Sequence, residues 1–205
     1  MRIHNPRPTM HSAHPENIFL FHGKGGSPGG SVLQLEELLR GRFPRTRFVR
    51  PALLHGDPAV TAEASLEGLR NLEIPTGSAV IGISLGGLLA ARLQESGRDD
   101  LHVTCISSPT WADGVALSQR MTRRLAIYSS LDEVIKGRTA NWPQLARAHD
   151  LPWLTHDTDK HKEALSSIVA ADLGNDDVVS AIIEMERILR DRGGDRPGRP
   201  IVMIH

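Results

Sequence analysis

Cysteine is almost missing from this chain: Cys105 is alone, so no disulfide can form within it. Net charge is missing too. Lys and Arg number 24, as do Asp and Glu, which leaves no global field to draw in nucleic acid or an anionic membrane. Arg40, Arg42, Arg45 and Arg47 are close enough to form a local basic patch, but a solvated loop between helix and strand is the simpler reading. No apolar run approaches the length of a membrane span. Met1 to Glu16 is polar and lacks the apolar stretch of a secretory signal, so the expected compartment is the cytoplasm. The histidines are scattered and match no metal-ligand spacing such as H-E-x-x-H, so neither metal nor cofactor is expected. Aromatic residues are few, yet apolar content is ordinary, and 205 residues suffice for one buried core.

What is present is an alternation of short apolar runs with helical patterns, the mark of βα units and a parallel sheet. Expected strands are Asn17–Phe21, Arg47–Leu54, Ser78–Gly82, Leu101–Ile106, Leu125–Tyr128 and Pro152–Thr155. Between them, a helix is expected from Ser31, with Gln34 three residues on as in a capping box. Others are expected over 61–72, 85–94 and 142–149. The last helix carries Asn175 as its cap, acids at 176 and 177, and Arg187, Arg190 and Arg192 at its end, which complements the macrodipole. These readings give an N-terminal arm (1–16), one α/β domain (17–192) and a Gly/Pro-rich tail (193–205). Ile201–Ile204 in that tail is either mobile or an added edge strand.

The chemistry is concentrated after the third strand, which runs into Gly82-Ile83-Ser84-Leu85-Gly86. A nucleophilic serine at a sharp strand-to-helix turn needs small neighbours, and glycine on each side of Ser84 supplies them. A second Gly-rich segment, His22-Gly23-Lys24-Gly25-Gly26-Ser27, leaves the first strand. Read alone it could be a phosphate-binding loop or a plain turn, but neither G-x-x-x-x-G-K-[ST] nor G-x-G-x-x-G occurs.

On these motifs and their order, the chain resembles the α/β-hydrolase superfamily, in a short form similar to small esterases and thioesterases without a lid. The resemblance covers Asn17 to Leu189. It implies a sheet of about six parallel strands with helices on both faces and no cap domain, since only residues 107–124 separate the fourth and fifth strands. It also implies a Ser-Asp-His order of catalytic residues. Ser84 is then the nucleophile, and the backbone N–H groups of Lys24 and Leu85 are the oxyanion donors. Asp132, in Tyr128-Ser-Ser-Leu-Asp132-Glu-Val134, is the acid, with Glu133 as the alternative and a turn or capping role as the non-catalytic reading. Two histidines follow the expected sixth strand. His161 is preferred as base because family histidines stand a few residues past that strand, and His156 is nearly contiguous with it. The family often has glycine beside this histidine, whereas Lys160 and Lys162 flank His161. The expected activity is hydrolysis of a small acyl ester or thioester through an acyl-enzyme. The alternative is a binding module that has kept the fold and lost the chemistry.

Overall fold

The computed structural model describes residues 14–192. Most of the expected N-terminal arm, and the whole tail with Ile201–Ile204, lie outside the described residues. Six parallel strands form one sheet: β1 (Asn17–Phe21), β2 (Arg47–Val49), β3 (Ala79–Ile83), β4 (His102–Ile106), β7 (Arg124–Tyr128) and β8 (Arg147–Asp150). Their spatial order is β2-β1-β3-β4-β7-β8. A two-stranded hairpin, β5 (Trp111–Ala112) and β6 (Val115–Ala116), fills the connection from β4 to β7, and the described residues include no cap domain. Its turn residues Asp113 and Gly114 both have positive φ, 44° and 85°, as a two-residue primed hairpin turn demands.

Side-chain alternation along the strands divides the core into two layers. Ile18 and Leu20 of β1, Ala79, Ile81 and Ile83 of β3, and Leu125 and Ile127 of β7 face one layer. It is closed by α1 (Ser31–Arg40), α5 (Lys162–Gly174) and α6 (Val178–Arg192). Phe19, Phe21, Val80, Val103, Cys105, Ala126 and Tyr128 face the other, closed by α2 (Ala62–Leu69), α3 (Leu85–Glu95) and α4 (Trp142–Leu145). Each fully buried Ile or Leu here contributes roughly 1.5–3 kcal/mol relative to exposure.

The chain winds outward from β1 to β2, then crosses back to place β3 on the other flank of β1. The helix after β1 covers one face and the helix after β3 covers the other. The switch point, where open α/β sheets bind ligands, therefore lies at the carboxyl ends of β1 and β3.

Several elements differ from the sequence expectation. The sixth strand is Arg147–Asp150, not Pro152–Thr155. It is an edge strand of half-exposed residues with no apolar run, held in place by its backbone pairing with β7 from Leu125↔Arg147 to Tyr128↔Asp150. At α1 the cap is Gly30 and no capping-box bond forms; the Gln34 amide instead donates to Asp159 and accepts from Lys162. Asn175 closes α5 in the left-handed conformation, and Asp177 takes the cap of α6, accepting from the Val179 N–H at 3.0 Å. The sequence reading gave α5 no place. Its buried residues run from Ala164 through Leu173 on more than one side, so it carries no clean stripe.

Candidate active site

Ser84 ends β3 and begins α3 with φ 53° and ψ −123°. That backbone is sparsely populated for a residue with a side chain and costs about 1–3 kcal/mol. Its neighbours hold it there. The Ser84 N–H donates to the Ile106 carbonyl at 2.8 Å, and the Ser84 carbonyl accepts from Gly87. The glycines permit the tightness. A Cβ on Gly82 would lie 2.4 Å from the Gly87 backbone, and one on Gly86 2.5 Å from the His22 and Phe21 carbonyls. Gly87, outside the G-x-S-x-G pattern, is as constrained, since a Cβ there would meet Ser108 Oγ at 2.0 Å. Cys105 is no rival nucleophile. It is buried, burial pushes its thiol up to about 12 against the lowering influence of Arg124, and its Sγ donates to the Gly87 carbonyl.

The Gly-rich segment His22–Ser27, expected to carry an oxyanion donor, leaves β1 beside this elbow. A Cβ on Gly23 would stand 3.1 Å from the Cβ of Ser84, so the two turns meet closely. As the first residue of α3, Leu85 has an N–H with no partner inside the helix. Among the described residues the Lys24 N–H has none either. The Lys24 ammonium is engaged elsewhere, 3.1 Å from Asp113 at the tip of the hairpin, and that pair is exposed.

Asp132 follows β7 and is buried. Its Oδ1 accepts from the Val134 N–H at 2.9 Å, and its Oδ2 lies 2.9 Å from Nδ1 of His156. A carboxylate can only accept, so Nδ1 is the donor of this pair, and in the neutral ring that leaves Nε2 as the acceptor. Glu133 points to solvent, paired with Lys136. His161 does not reach Asp132. It caps α5, its Nε2 is 3.0 Å from Thr155 Oγ1, and its ring packs beside Trp153. Burial holds His161 below the ordinary histidine range, with Asp157 opposing that shift and Lys160 adding to it.

The expected pairing of Asp132 with His161 is therefore corrected to Asp132 with His156. The physical reason is the displaced edge strand. With β8 ending at Asp150, residues 151–155 form the intervening loop, and His156 is the histidine a short distance past the strand. Backbone hydrogen bonds tie the two parts of the site together. Ser84 donates to Ile106 and the adjacent Ser107 N–H donates to Ile127, which links the elbow to the strand that delivers Asp132. Among the described residues, no hydrogen bond joins Ser84 Oγ to His156.

Two features escaped the sequence. His55 is buried under the Gly-rich segment, in a stretch that reads as an ordinary loop. Ser107 has φ 44°, is buried, and its Oγ has no partner among the described residues. A cleft of about 870 Å³ opens at the opposite edge, among residues such as Ser78, His102 and Arg147. Ser84, Asp132 and His156 are not among the residues that line it.

No protein-family model matches this sequence, and no curated protein matches it. Solved structures do. Mouse alpha/beta hydrolase domain-containing protein 10 is 11% identical with a TM-score of 0.56, covering 86% of this chain and 90% of its own. Est1E from Butyrivibrio proteoclasticus, solved with ferulic acid bound, is 14% identical at TM-score 0.53, covering 88% and 92%. The Pyrococcus furiosus esterase Pf2001 is 13% identical at TM-score 0.54, covering 79% and 83%. The six-stranded parallel sheet, its switch point and these neighbours agree: this chain has the α/β-hydrolase fold.

Proposed function

We propose that the protein is a serine hydrolase that cleaves a small acyl ester or thioester. The observation that carries this reading is the 2.9 Å hydrogen bond from His156 to buried Asp132, at the same sheet edge as the strained Ser84. The esterases among the structural neighbours support it. In this reading His156 Nε2 takes the Ser84 proton as Oγ attacks the acyl carbonyl, and Asp132 stabilises the imidazolium that forms. The carbonyl oxygen becomes an oxyanion held by the Lys24 and Leu85 N–H groups. A donor of that kind accounts for about 3–4 kcal/mol of barrier. Collapse expels the alcohol or thiol, which takes its proton from His156. Water then attacks the acyl-Ser84 ester by the same route and frees the acid.

The test is covalent labelling with a fluorophosphonate, which phosphonylates only an activated serine. Wild type should be modified on the peptide containing Ser84, and Ser84→Ala should be neither labelled nor active on p-nitrophenyl acetate. Labelling of another residue, or full activity in a folded Ser84→Ala, overturns the assignment. A folded wild type that takes no label is a binding module.

A further inference from the structure

We propose that His55, oriented by Ser65, is a positioning residue that fixes the direction of the Lys24 N–H in the oxyanion hole. The inference rests on the serine hydrolase reading above and extends it to a residue that touches no substrate.

An oxyanion donor acts through direction, and the direction of an N–H is set by its own peptide plane. The Lys24 N–H shares a trans peptide with the Gly23 carbonyl, so the two point opposite ways and fixing one fixes the other. The Gly23 carbonyl is held by two donors, the Gly26 N–H at 3.0 Å and His22 Nδ1 at 2.9 Å. His22 gives that proton from Nδ1 because its Nε2 accepts from the Leu53 N–H at 3.2 Å. This much is local to the segment and the turn at 53–56.

His55 locks the turn and the segment together. Its Nε2 lies 2.7 Å from the His22 carbonyl, which can only accept, so Nε2 carries the proton. Its Nδ1 must then accept, and the Ser65 hydroxyl at 2.6 Å is its donor. The exchange is reciprocal: the Gly25 N–H donates back to the His55 carbonyl at 2.8 Å. Residues on both sides of Lys24 are thus bonded to one buried side chain and its backbone. The ring is fully buried. Burial lowers its proton affinity, the bond to the His22 carbonyl opposes that, and the nearby Lys24 charge lowers it further. The neutral ring is the form this bonding pattern needs. A spacer would not require such an arrangement, because an apolar ring of the same size would fill the volume without two directed hydrogen bonds.

The experiment compares wild type, His55→Leu, His55→Gln and Ser65→Ala in three readouts. On p-nitrophenyl acetate, His55→Leu should lower kcat about a hundredfold with KM within threefold, the pattern of a misaligned transition-state donor. His55→Gln should recover most of the loss, since its amide can donate to the His22 carbonyl and accept from Ser65. Ser65→Ala, which leaves the ring in place, should show a loss of a few-fold to tenfold. Binding of a trifluoromethyl ketone should weaken in parallel with kcat/KM, while the endpoint fraction labelled by fluorophosphonate stays that of wild type. Amide exchange of residues 22–26 should rise in His55→Leu, and this readout needs no turnover.

Unchanged exchange in that segment overturns the proposal. So does a kcat loss matched by an equal loss of labelled fraction, because misfolding alone then accounts for it. Should His55→Leu fail to fold, a Ser65→Ala variant with wild-type kcat and wild-type exchange also overturns it. If wild type neither labels nor hydrolyses, the serine hydrolase reading fails, and the exchange data still decide whether His55 holds the segment.

Discussion

Replacing His156 and His161 one at a time separates the two histidines by several orders of magnitude. His156 Nδ1 is bonded to a carboxylate that is almost wholly buried, 1% exposed, so its loss removes the base and strands the acid. Removing the base of such a triad costs about 10⁴-fold or more in turnover, roughly 5 kcal/mol or more of barrier. His161→Ala gives up one hydrogen bond to the Thr155 hydroxyl and a contact with Trp153. That is about 1 kcal/mol of stability at most, and turnover should stay within threefold. Asp132→Asn keeps the volume but offers an N–H toward His156, which favours the wrong tautomer; the expected loss is about 10⁴-fold. Because acid and base act as a unit, Asp132→Asn combined with His156→Ala should be no slower than His156→Ala alone. The assay is kcat/KM on p-nitrophenyl acetate, with circular dichroism to establish folding. A hundredfold loss in His161→Ala alongside a mild effect in His156→Ala would refute the reasoning.

Two further outcomes concern the frame around the site. Gly82→Ala should destabilise by about 3 kcal/mol or prevent folding, because its Cβ would meet backbone at 2.4 Å, whereas Gly41→Ala, helical at φ −63° with 3.6 Å to its nearest neighbour, should leave the urea midpoint unchanged or slightly raised. Equal midpoints for the two variants would contradict the packing at the elbow. Asp172 ties α5 to the start of β4 through His102 and to β8 through Arg147. Burial alone would raise its pKa, but those two partners outweigh burial and hold it below the ordinary 3.8. A depressed carboxyl pKa gives stability that is present above the unfolded value and lost as pH falls through the folded one. The stability gap between wild type and Asp172→Asn should therefore be widest near neutrality and narrow below about pH 4. A constant gap from pH 7 to about pH 2.5 would show that the carboxylate charge is not what matters.

The legible parts of this protein are those where local pattern and global fold agree. β1, β3, β4 and β7 are buried on both faces, so each reads as a short, mostly apolar run, broken in β4 by Thr104. Ser84 is legible because the elbow writes its steric needs into adjacent glycines. Asp132 follows a well-marked strand, and the structure pairs it with a histidine. β8 was not legible. Arg147-Ala-His-Asp150 has a partner on one side, leaves half its surface exposed, and is specified by backbone pairing instead of composition. Placing the strand too far along made His156 seem contiguous with it and moved the base to His161. One edge strand thus decided which histidine was read as the partner of Asp132. His55 escaped for another reason: its bond to the His22 carbonyl joins residues that only the crossing from β2 back to β3 brings together.

The sheet divides the proposed reaction into two mechanical parts. Ser84, Lys24, Leu85 and His55 are carried by β1, β3 and the turn after β2, all on one side of β4. Asp132 and His156 follow β7 and β8 on the other side, and β8 is the outermost strand among the described residues. A small change in twist between β4 and β7 alters the gap between serine and imidazole while the oxyanion donors keep their register with the nucleophile. In that proposed reaction charge stabilisation belongs to the centre of the sheet. Proton transfer hangs on a four-residue strand at its rim, so a mechanical load on that rim acts on the timing of proton movement and leaves the grip on the oxyanion unchanged.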